Sequence, residues 1–185
     1  MEATKILMDE HRVIEHVLRA IDAIAARATR GEEVRPGFFL DTADFIKNFA
    51  DGCHHLKEEG VLFVAMTEAG VPVEGGPIGV MLAEHEKGRA FTRGMREATE
   101  KWQAGEVSQL EPVLLNAKGY STLLRQHIHK EDNVLFPMAD RVIPAERQGK
   151  IEAEFERIER EETGAGVHEK YHAQAESLEK ESLQT

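Results

Sequence analysis

His-Ile-His-Lys-Glu-Asp-Asn-Val-Leu-Phe-Pro, residues 127–137, has an echo upstream: its first ten residues resemble His-His-Leu-Lys-Glu-Glu-Gly-Val-Leu-Phe at 54–63. The two segments share His, Lys, Glu, Val, Leu and Phe at the same offsets, so His54 precedes Glu58 by four residues as His127 precedes Glu131. On a helix that spacing stacks both side chains on one face. Imidazole beside carboxylate suits a divalent transition metal, iron or zinc in particular. One such pair can be a surface accident. Two inside a copied decapeptide require a shared cause.

The echo reaches further out. His11 closes Leu-Met-Asp-Glu-His and His85 closes Met-Leu-Ala-Glu-His. His11 lies 43 residues before His54, and His85 lies 42 before His127. Each half of the chain thus reads as a helical hairpin with one His on its first helix and His-x-x-x-Glu on its second.

Apolar periodicity supplies the helices. Residues 4–28 carry Leu7, His11, Ile14, Leu18, Ile21, Ala25 and Ala28 on one seam, and 30–37 form a loop. A second helix, about 38–69, aligns Ala43, Ile46, Ala50, His54, Glu58, Val61 and Ala65. The same regular period puts His55 and Glu59 outside, with Asn48, Asp51 and Gly52. Gly and Pro break the chain at 70–77. A third helix, about 78–103, carries His85 on its seam. A fourth, about 112–142, stacks Val113, Ala117, Tyr120, Leu124, His127, Glu131, Val134, Met138 and Val142, leaving His129 and Asp132 outside. The expected fold is all-α: an antiparallel up-down-up-down four-helix bundle over residues 1–143. An acidic helical tail follows over 144–185, docked or mobile, with helices at 145–162 and 167–181.

Bulk properties narrow the function. With 41% apolar and 31% charged residues, the 185-residue chain has an ordinary globular composition. A formal charge of −11 leaves no basic surplus to neutralise nucleic acid or an anionic membrane. The polar N-terminus, the lack of a membrane-length apolar run and a lone cysteine, Cys53, point to the cytoplasm.

Packed about a pseudo-twofold axis, the two hairpins direct His11, His54, Glu58, His85, His127 and Glu131 at one place. Ionisable groups facing a core cost several kcal/mol each without a partner, and cations resolve that cost. One metal can take all six ligands, but the twofold pattern favours two, each with two His, and Glu58 and Glu131 as bridges. Imidazole and carboxylate ligation with open positions suits iron; zinc or manganese fits the same ligand types.

On these residues the chain resembles the hemerythrin-like (HHE cation-binding) family over 5–142, the run Leu135-Phe136-Pro137 included. The resemblance implies a non-haem centre of two Fe ions with an oxo or hydroxo bridge. It also implies O2, peroxide or nitric oxide as ligand in redox sensing or stress response, and an electron-transfer or signalling protein as partner. A di-iron oxidase or peroxidase, and an iron storage or delivery protein, are the alternatives. The oxygen-carrying members place a second His one turn after the first on helix three, where this chain has Arg89. That departure leaves both irons accessible, which disfavours reversible carriage and favours oxidation or peroxide chemistry.

Other residues have plainer readings. Tyr120, two turns before His127, is either a core aromatic or a hydrogen-bond donor to a ligating group. Arg89 is a surface ion pair or a gate to the third-helix side. His168-Glu-Lys-Tyr-His172 matches the H-E-x-x-H zinc pattern, but its polar tail setting reads as a docking or solvated helix.

Overall fold

The computed structural model describes residues 1–164 and 166–184, without the side chains of 162 and 163. Among the described residues there is no strand, and the helices form six rods. They are α1 (Glu2–Thr29), α2 (36–68), α3 (Pro77–Gln103), α4 (110–142), α5 (145–163) and α6 (Val167–Leu183). None is long and apolar enough to cross a membrane.

Local chemistry sets the ends. Proline opens α2 at Pro36 and α3 at Pro77, where its missing N–H is not needed. Gly70, at φ +94°, turns the chain out of α2 while Val71 N–H bonds back to the Met66 carbonyl. Gly76 admits no side chain, since a Cβ there would lie 2.0 Å from the Pro72 carbonyl oxygen. Pro144 forces Ile143 into extended backbone and so ends α4.

α2 and α4 are not uniform. In α2 the α-helix Pro36–Phe45 passes into π-helical turns at Ile46–His55 and again at Glu58–Leu62. In α4 the π-helical stretch is Glu131–Leu135, the copy of the second of these. Wide i→i+5 turns are rare and concentrate at functional sites.

α1 packs on α2 and α4, and α3 packs on α2 and α4. α5 and α6 lie against α1 and α2. Tyr171, Ala175 and Leu178 of α6 are buried in one apolar cluster with Ile14, Ile21, Phe45 and Tyr120. Ile151 and Phe155 of α5 enter another, with Leu7, Phe63, Met66 and Phe136. Each fully buried Phe contributes about 1.5–3 kcal/mol. The polar residues His11, His54, Glu58, His85, His127 and Glu131 are buried between these two clusters.

Candidate metal centre

The π turns decide which side chains of α2 face inward. Each takes in one residue more than an α turn, so later side chains fall back around the axis. As a result His54 and His55 are both buried, at 1% and 3% exposure, and Glu58 is buried with them. This corrects the regular-period expectation that His55 faces outward. Glu59 is half-buried rather than outside, and on α4 the π turn likewise draws Asp132 in to contact His11.

Five imidazoles meet here, and each hands its Nδ1 to a carboxylate. Nδ1 of His11 reaches Asp132 at 2.7 Å, His54 reaches Glu10 at 2.9 Å and His55 reaches Asp51 at 2.8 Å. His85 reaches Glu59 at 2.7 Å and His127 reaches Glu84 at 2.9 Å. An ionised carboxylate only accepts, so each Nδ1 carries a proton, and each imidazole in its neutral form presents the Nε2 lone pair inward. The carboxylates are themselves held by cations: Arg12 on Asp132, Lys57 on Glu10, Lys130 on Glu84, and Arg89 on both Glu59 and Asp51.

Inside, Nε2 atoms face carboxylate oxygens. His11 Nε2 lies 3.2 Å from Glu131 Oε2, and His127 Nε2 lies 3.2 Å from Glu131 Oε1. Glu58 sits 3.5 Å from His54 Nε2 and 3.4 Å from His85 Nε2. Nε2 of His85 and of His127 approach to 3.0 Å. Nε2 of His11, His54 and His55 and both oxygens of Glu58 and Glu131 are buried without a hydrogen-bond partner among the described residues. Buried orphaned lone pairs cost about 1–3 kcal/mol each. A cation placed among them converts that cost into coordination.

Two overlapping ligand sets satisfy this. His11, His54, Glu58 and Glu131 form one, and His55, Glu58, His85 and His127 form the other, with ligand atoms within 4.8 Å of one another in each. The donor set fits iron or zinc by chemistry.

The protein groups alone respond to this crowding in opposite senses. Burial, reinforced by the Glu131 charge, pushes the Glu58 carboxyl well above the usual range. Burial acts the same way on Glu131, but His127 and His11 outweigh it and hold Glu131 low. Burial lowers the His54 pKa to about 4. His11 is raised to about 9, because Asp132 and Glu131 overcome the burial that would lower it.

The copied decapeptide now has a physical account. Glu10–His54 and Lys57–Glu10 in the first hairpin correspond to Glu84–His127 and Lys130–Glu84 in the second. Phe136 stacks on His11 at 5.5 Å as Phe63 stacks on His85 at 6.0 Å, each ring covering the other hairpin's imidazole. Among the inward-facing groups one position breaks the twofold: where the first copy has His55, the second has Ile128.

The six residues expected from sequence, His11, His54, Glu58, His85, His127 and Glu131, all converge. Arg89 touches Glu59 and Asp51 and so stands behind His85 and His55. Tyr120 is buried, its hydroxyl without a hydrogen bond among the described residues and its pKa pushed well up by burial and the Asp51 charge. Sequence reasoning missed His55 and the outer carboxylates, although the repeated Glu-His dipeptides at 10–11 and 84–85 were a usable signal for two of them. On α6, His168 comes within 3.7 Å of Glu10, and its ring lies 4.5 Å from that of His172. Glu10, Glu159 and His168 cluster, but the Lys57 ammonium already bridges the two carboxylates.

Comparison with known proteins agrees with this geometry. The profile of the hemerythrin HHE cation binding domain matches residues 2–139. Uncharacterized proteins of Mycobacterium tuberculosis and Mycobacterium bovis are 26% identical to the chain over 140 residues, 75% of its length. The chain spans about half the length of these curated relatives, 54% of each. No solved structure matches it.

Proposed function

Since the chain belongs to the hemerythrin HHE cation-binding family, we propose that it is a non-haem di-iron protein that binds O2, peroxide or nitric oxide in redox sensing or stress response. The observation that carries this is the set of orphaned inward lone pairs on His11, His54, His55, Glu58 and Glu131. The two ligand sets sharing Glu58 support two cations rather than one. Iron bound there supplies reversible redox chemistry toward oxygen-type and nitric oxide ligands.

The chain's own residues set the terms of that chemistry. The outer carboxylates fix the tautomer and direction of each imidazole. Phe63 and Phe136, with the apolar clusters on either side, keep bulk water from the ligand sets. His55 makes the two sets unequal, three imidazoles against two. An ion held by His11 and His54 would have one imidazole fewer than its neighbour.

The test is titration of iron-loaded, full-length protein with nitric oxide and, separately, peroxide, followed by absorption spectroscopy and an oxygen electrode. A saturable spectral change that reverses when nitric oxide is purged, with no sustained oxygen release from peroxide, is the expected result. Sustained peroxide consumption would move the protein to the oxidase or peroxidase class. Iron that is lost to a weak chelator without any ligand response would make it a store or donor.

A further inference from the structure

A second concentration of charge borders the centre, in a cleft of about 340 Å³ between α2 and α3. Lys47 and Asp51 line it from α2, and Arg89, Thr92, Arg93 and Arg96 line it from α3. The spacings 47/51 and 89/93/96 put these side chains on the facing sides of the two rods. Four cations thus line the cleft beside one carboxylate in a chain of formal charge −11. Arg89 is committed to Glu59, Glu86 and Asp51. Lys47, Arg93 and Arg96 have no ion pair among the described residues. Like charges gathered in a concave wall that holds a single carboxylate, Asp51, repel one another, and an anion in the cleft relieves the excess.

We infer that this cleft binds a small multivalent oxyanion, phosphate or a phosphate monoester. Two guanidinium forks on one helix face match the oxygens of a tetrahedral anion, and a lysine opposite adds a point charge. A singly charged ligand would leave most of the cationic excess unmet. The volume admits a phosphate carrying a small organic group, with Ala43 and the arginine stems as its apolar wall. Asp51 ties the cleft to His55 and Arg89 ties it to His85 through Glu59, so the site adjoins the centre without sharing its inward ligands. The inference stands on the cleft alone and holds whatever ion the neighbouring residues take.

Isothermal titration of the full-length protein with inorganic phosphate and with phenyl phosphate tests it. One-to-one binding with a Kd on the order of 0.1–1 mM at low salt is expected, weakening as ionic strength rises. Tighter binding of phenyl phosphate identifies an organic monoester as the ligand, and equal or weaker binding identifies the free anion. Arg93→Gln with Arg96→Gln should weaken binding at least about tenfold, with the melting temperature unchanged. Lys47→Gln, at an exposed position on the opposite wall, should act in the same direction. Absence of binding by either probe, or unchanged affinity in both variants, overturns the proposal.

Discussion

The imidazoles of His55 and His85 lie stacked, ring centroids 3.8 Å apart and planes 17° from parallel. They come from different rods, α2 and α3, and both sit in the ligand set that holds Glu58 and His127. This contact exists only because the π turns in α2 bring a second consecutive histidine to the inner face. It is the point where a twofold-repeated centre becomes asymmetric.

His55 should therefore behave as a ligand and not as a packing residue. His55→Ala is expected to lower the iron retained after gel filtration by as much as His54→Ala does. Metal analysis of the two variants beside the wild type checks it. Wild-type iron content in His55→Ala would return the centre to four imidazoles.

The outer carboxylates should matter without touching metal. Glu84→Gln, which weakens the hold on the His127 ring, is expected to reduce metal affinity by about 10–100-fold. Its repeat-related partner, Glu10→Gln, should have a comparable effect through His54. Competition against a chromogenic chelator measures both. Asn133, which bonds the exposed His129, serves as a control position whose substitution leaves affinity unchanged.

Much of this centre was legible in the chain. The offsets shared by 54–63 and 127–136 pointed to four of the converging residues, and the Glu-His dipeptides led to His11 and His85. What escaped was the register within α2. A regular period puts His55 beside Asp51 and Gly52, and no local preference announces an i→i+5 turn, since the inward pull comes from tertiary packing around the site. The same reason hid Asp132 on α4. The tail was undecided from composition because its apolar edge is thin. Tyr171, Ala175 and Leu178 show that a few well-spaced residues suffice to seat it.

Metal loading should release protons. His11, raised to about 9, carries a proton at neutral pH, and Glu58 is pushed well up by burial and the Glu131 charge. Each ligates only in its deprotonated form, so affinity rises with pH through the neutral range and falls below it. Calorimetry in buffers of different ionisation enthalpy should show net proton release on metal loading, with His11 as a source. No buffer dependence would contradict this.

Lys57 and Glu10 form a buried ion pair, with Lys57 at 0% and Glu10 at 2% exposure. Lys57→Met leaves the buried Glu10 charge without its ammonium partner and is expected to cost about 3–5 kcal/mol of stability. Adding Glu10→Gln to Lys57→Met should recover most of it. Urea unfolding of the metal-free proteins reads both values, which keeps the role of Glu10 behind His54 out of the comparison.

The shared carboxylates are the crux, because Glu58 borders both ligand sets and Glu131 lies 3.2 Å from an imidazole of each. Iron bound per chain at saturation, measured by plasma emission on wild type, Glu58→Ala and Glu131→Ala, tests this most directly. The account predicts two ions in the wild type and loss from both sets in each variant. Wild-type protein that saturates at one ion or none, or variants that keep the full complement, would contradict it.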